Sequence, residues 1–161
     1  MKVQGIENLL SLITIIKSPF ATRCDVNELI KICYNIALSH LKIKIFNGKL
    51  NIARLGLNLN DLAIDCIGEL FRQEDAGGFP SFKRIEIADD NGKIISNELL
   101  FIRLKYLIIS SVNDHLFRLS KNSDPDLGKL IRNIKNNVKC ISKLRIKKNN
   151  GELTLISDSI F

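Results

Sequence analysis

Residues 98–121 constrain this chain most. Wound as a helix, they place apolar side chains on almost every side between Leu99 and Phe117. Such a helix is a core element and has to be surrounded by others. Arg103, Lys105 and Asp114 interrupt it, too many charges for a segment that crosses a bilayer. Asn97 reads as its cap. The rest of the chain must supply its cover, and 161 residues suffice for one domain with a buried core. Only 9 glycines and 3 prolines exclude collagen and generic disorder. Four cysteines are too sparse for a disulfide scaffold, so Cys24, Cys33, Cys66 and Cys140 read as reduced thiols.

The covering elements are also mostly helical. Residues 6–17 predict a short helix, apolar nearly all round, that Pro19 ends. Residues 26–46 predict a longer one, with Asp25 as cap and apolar residues at three- and four-residue spacing from Val26 to Leu41. Asn47-Gly48 stops it. Residues 59–73 follow Asn58 as cap, with one stripe running from Leu59 and Leu62 to Leu70 and Phe71. Residues 76–97 predict a long loop with a small hairpin at Asp90-Asn91-Gly92. Asp124-Pro125 opens a helix over 125–139. Residues 140–161 alternate around Asn149-Asn150-Gly151 and predict a β-hairpin.

The expected fold is therefore mostly α, a compact bundle of four to five helices with a C-terminal β-hairpin. Residues 1–139 form the helical domain, with 76–97 as an insertion loop. Residues 140–161 form an appendage, and the abrupt apolar Ser-Ile-Phe end reads as the start of a truncated further domain. The apolar run Leu9–Ile16 follows Glu7 and lacks a small-residue cleavage site, so the expected location is the cytoplasm.

Charge divides the chain. Residues 1–99 hold 12 basic and 12 acidic groups, whereas residues 100–150 hold 12 basic and 3 acidic. The whole chain carries +7, and the asymmetry points to a polyanion partner for the second half. On the 125–139 helix Lys129, Arg132, Lys135 and Lys139 share one arc, apart from the apolar Leu127, Leu130, Ile131, Ile134 and Val138. That arc either tracks phosphates or is a solvated face. Asp61, Asp65 and Glu69 recur at four-residue steps and form an acidic ridge, which either meets a basic partner or is a solvated face.

Catalytic signatures are absent. His40 and His115 lie on or beside apolar faces and read as structural. No cysteine or histidine spacing fits a metal, and no phosphate loop, dinucleotide fingerprint or nucleophile elbow occurs. The expectation is a protein without catalytic residues, cofactor, metal or small-molecule substrate.

One order of segments is distinctive. A helix precedes one containing Asp61-Leu62-Ala63-Ile64-Asp65 and Ile67-Gly68-Glu69-Leu70-Phe71. Phe79 and Phe82 follow in Gly-Phe-Pro-Ser-Phe, then a long apolar helix that ends Asn113-Asp114-His115-Leu116-Phe117-Arg118. Over residues 26–122 this resembles the second conserved region of bacterial sigma factors, especially the extracytoplasmic-function type. The Gln-Glu pair of that family is replaced by Ile64-Asp65, there is no Trp, and the helix-turn-helix region is missing.

The resemblance implies docking of Asp61, Asp65 and Glu69 on the β′ clamp helices of core RNA polymerase. It further implies promoter DNA held by the basic second half, through Arg118, Lys121, Lys129, Arg132, Lys135 and Lys139. Phe101 and Tyr106 stand where the family's base-stacking aromatics would be, or else pack in the core. Arg118 and Lys121 also suit the negative end of their helix. Two other functions remain open: a polymerase-independent nucleic-acid-binding module, and a helical protein-interaction module in which the acidic ridge alone matters.

Overall fold

The computed structural model describes residues 8–18, 20–52, 56–73, 78–89 and 92–123, the positions Lys129, Asn133 and Asn136, and the backbone of 144–149 and 152–157. Among residues with described side chains the fold is mostly helical. Its helices are α1 (Leu9–Lys17), α2 (Arg23–Phe46), α3 (Leu59–Gly68), α4 (Pro80–Lys83) and α5 (Asn97–Ser123). A 3-10 turn, Glu69–Phe71, continues α3. No strand occurs among those residues, only an isolated bridge between Ala88 and Ile94. Of the expected C-terminal hairpin only the backbone of 144–149 and 152–157 is described, and the hairpin stays a proposal.

Two buried stripes organise the packing. Leu29, Cys33, Ala37 and Leu41 recur every four residues on α2, and Leu100, Leu104, Ile108 and Val112 do so on α5. All eight are fully buried. Residues at that spacing share one helix face, which is why each helix buries a line. α2, α3 and α5 pack on one another, and α1 lies against both α2 and α5. Leu62, Ala63, Cys66 and Ile67 of α3 and Leu9, Leu12, Ile13 and Ile16 of α1 complete the core. Burial pushes the Cys66 thiol up to about 12, and Cys33 is raised by the same cause.

Two helix starts differ from the sequence reading. Thr22 caps α2, not Asp25. Its hydroxyl oxygen accepts from the Asp25 N–H (3.3 Å), and the Asp25 carboxylate accepts from the Thr22 N–H (2.9 Å). This reciprocal box satisfies two otherwise orphaned donors and moves the start to Arg23. Ser96, not Asn97, opens α5: its hydroxyl accepts from Leu99 N–H and its carbonyl from Leu100 N–H. Asn97 is thereby released, and its Oδ1 accepts from Leu10 N–H at 3.0 Å, tying the start of α1 to α5. Asn58 caps α3 as expected, accepting from Asn60 N–H.

The segment predicted as a long loop is held in place. Pro80 opens the single turn of α4, and Phe79 and Phe82 are buried against Phe71, with ring centroids 5.1–6.4 Å apart. Lys17 Nζ donates to Ile85 O, and Arg103 donates to Glu86 O. Bonds from Asp89 N–H to Lys93 O and from Ile95 N–H to Ile87 O flank the Ala88–Ile94 bridge where the small hairpin was expected, with Gly92 at φ +76°; Asp90 and Asn91 lie outside the described residues. Of the helix predicted over 125–139 only three positions are described, each helical and exposed, and the others lie outside the described residues; α4 is a helix the sequence reading did not expect. α5 also departs from its reading as a surrounded helix, because Leu99, Ile102 and Tyr106 remain exposed.

Phe82 and Phe46 make a paired test of this packing. Phe82 is fully buried, whereas Phe46 is 91% exposed. Phe82→Ala is expected to cost roughly 3–5 kcal/mol in urea unfolding. Phe46→Ala is expected to stay within about 0.5 kcal/mol of the parent.

Candidate functional site

The acidic ridge stands on a rigid base. Leu62, Ala63, Cys66 and Ile67 anchor one side of α3 in the core, so its other side must face outward. Asp61, Ile64, Asp65 and Gly68 form that outer face, and all four are exposed. Ile64 is 55% exposed between the two carboxylates, so the face is acidic with an apolar centre. Tyr34 of α2 donates to Asn60 Oδ1 at 3.1 Å and braces the start of the helix.

Glu69 differs from its two companions. It lies in the 3-10 turn, and Arg118 Nη1 of α5 donates to its Oε1 at 2.7 Å. That guanidinium holds the Glu69 carboxyl below the usual carboxylate range. One expected docking residue and one expected DNA-binding residue therefore neutralise each other. Both side chains are about half exposed or more, so the pair adds little stability.

The Glu69–Arg118 pair sits on the rim of a cleft of about 410 Å³ between the end of α3, α4 and α5. Ser81, Arg84, Ser110 and Asp114 contribute its other main polar groups. Ser111, also on its wall, donates to the Cys66 carbonyl at 2.6 Å and so links α5 to α3. Two acids and two arginines give the cleft no net sign. Arg84 and Ser81 escaped the sequence reading, because nothing in the spacing of Gly-Phe-Pro-Ser-Phe signals proximity to residues thirty positions away.

His115 is next to this pair. Partial burial lowers its pKa first, and the Arg118 charge lowers it further, while Asp65 and Glu69 act in the opposite direction. His40 Nε2 lies 3.4 Å from Asn113 Oδ1, a contact between α2 and α5. Among the described residues no group of three or more His, Cys, Asp or Glu is placed to hold a metal ion. None of the described helices is long and apolar enough to cross a membrane.

The remaining expected site residues are described only in part. Lys121 is exposed one turn after Arg118, and Lys129 is exposed. Arg132, Lys135 and Lys139 lie outside the described residues. Phe101 is half-buried against the core, whereas Tyr106 is 55% exposed. Five residues apart, they point about 140° from each other around α5 and cannot stack on neighbouring bases from one face. Phe79 and Phe82, which carry part of the sigma-factor resemblance, are core residues.

Compared with models of known families, with curated proteins and with solved structures, the chain finds no match.

His115 gives a readout of the cluster. Its histidine signal should titrate below the ordinary 6.5 in an NMR pH series. Glu69→Gln removes a carboxylate that favours the charged ring and should lower the value further. Arg118→Ala should raise it. Because the folded-state pKa lies below the unfolded one, the unfolded chain binds more protons, and this group weakens folding as pH falls through 6.5.

Proposed function

We propose that the chain is a sigma-like transcription protein without catalytic activity, acting in the cytoplasm by docking and recruitment. The observation that carries this reading is the outer face of α3. Asp61 and Asp65 flank exposed Ile64 on a helix whose opposite side is anchored in the core. A preorganised acidic face with an apolar centre suits a basic helical partner, where charge guides encounter and the apolar group is desolvated on contact. The resemblance over residues 26–122 implies that this partner is the β′ clamp helices of RNA polymerase.

The DNA half of the proposal rests on charge. Residues 100–150 carry 12 basic and 3 acidic groups, and Lys121 and Lys129 are exposed. Phosphates would be tracked by Lys129, Arg132, Lys135 and Lys139, with Lys121 alongside. Arg118 contributes only when it leaves Glu69. The tail belongs to the same proposal: residues 144–149 and 152–157 would pair antiparallel as a hairpin, Ile146 opposite Leu155, appended to the helical domain 1–139.

A second reading is a protein-interaction module with a basic partner other than polymerase. Exposed Ile64 between Asp61 and Asp65 favours it, because that face calls for no nucleic acid, whereas the Glu69–Arg118 pair takes one carboxylate from the ridge and one cation from the surface meant for DNA.

Co-elution of the full chain with bacterial core polymerase at moderate salt tests the first reading. The Asp61→Lys/Asp65→Lys variant should lose at least about tenfold in affinity, since close interfacial charge pairs are worth roughly 1.5 kcal/mol or more. Both positions are exposed, so the variant should keep the parent circular dichroism. Absence of co-elution by the folded parent chain would refute polymerase docking. For DNA, four phosphate contacts predict log K against log salt with a slope of about −3.6. A flat salt response would leave the interaction module.

A further inference from the structure

α5 carries an apolar line that no other described element covers. Leu99, Ile102 and Tyr106 are 42%, 47% and 55% exposed, and Ile94, just before the helix, is 64% exposed. Positions 99, 102 and 106 fall within about 60° of arc on the helix. The buried Leu100, Leu104, Ile108 and Val112 lie on the opposite side. This spacing of three and four is that of a coiled-coil seam. Glu98 and Lys105, both exposed, border the line along one edge. Arg103, on the other edge, is already held by Glu86.

We propose that this face pairs with the same face of a second copy of the chain, α5 against α5 in antiparallel orientation. The charges select this occupant. A two-fold axis between residues 100 and 101 sets Leu99 of each copy against Ile102 of the other. That axis leaves Glu98 of each copy two residues, about 3 Å along the helix, from the level of Lys105 of the other, within side-chain reach because like edges meet in an antiparallel helix pair. Tyr106 then reaches toward Ile94 of the second copy. The edge is thus complementary to itself, as a two-fold interface requires. It carries one charge of each sign, so it offers no match to a polyanion or to a uniformly charged protein.

The interface takes Tyr106 away from base stacking and gives its exposure a different cause. It leaves the acidic face of α3 open, because α3 packs on the other side of α5, where Ser111 bonds Cys66. The face is small, four apolar side chains per copy, so the association is expected to be weak and concentration-dependent.

Sedimentation equilibrium of the full chain from about 1 to about 200 µM tests the proposal. The mass should rise from 18.2 kDa toward twice that value. Ile102→Glu should abolish the rise. Glu98→Lys and Lys105→Glu should each weaken association at least about threefold, and the double exchange should restore it. Circular dichroism checks that each variant is folded, which exposure of all three positions favours. A parent chain that stays monomeric throughout overturns the proposal, whether the face is bare or covered by the chain's own tail. So does a dimer indifferent to both single charge reversals, or a folded double exchange that fails to restore pairing.

Discussion

The seam between α2 and α5 is the constraint on which the other elements depend. Each helix contributes a fully buried line at four-residue steps, Leu29 to Leu41 and Leu100 to Val112. On α2 the middle of that line is Cys33 and Ala37, side chains small enough for close helix approach. Close packing of this kind transmits position, because an interior at crystal-like density leaves little room for sliding. α3 is set against both helices, and its outward face follows from that placement. A docking surface needs this rigidity, since ordering a mobile helix on contact would consume part of the binding free energy.

Around the seam, polar side chains fasten segments distant in sequence. Asn97 holds the start of α1, Lys17 and Arg103 hold the segment after α4, Ser111 holds the end of α3, and Arg118 holds Glu69. Most of these bonds link a side chain to a backbone group. They satisfy main-chain donors and acceptors at helix ends and in irregular segments, where no ladder can do so. The described residues of the segment 78–96 are therefore part of the body, with Phe79, Phe82, Ile85 and Ile95 buried in it.

Periodicity made α2, α3 and α5 legible in the sequence, and Asn58 and Asn47-Gly48 gave correct ends. Local chemistry misled at Thr22 and Ser96, where two candidate caps lie side by side or within three residues; the choice depends on the reciprocal bonds of Thr22 with Asp25 in one case and on Asn97 being drawn to Leu10 N–H in the other. The single turn of α4 was unreadable because its stability comes from the Phe71–Phe79–Phe82 contact, not from propensity. Asp61 and Asp65 were correctly read as exposed from their phase on α3. The Glu69–Arg118 pair spans 49 residues and is set by how α3 packs on α5, which spacing alone does not encode. The exposed line on α5 was hidden by the opposite error: an all-round apolar helix suggests full cover, yet three helices reach only part of its circumference.

Anchoring and exposure thus meet on α3, a helix held in the core on one side and presenting Asp61, Ile64 and Asp65 on the other. Hydrogen exchange of the full chain, with and without core RNA polymerase, probes that face directly. The account predicts slowed exchange in peptides covering residues 59–71 when polymerase is present. Unchanged exchange there, or protection confined to the exposed line of α5, would contradict it.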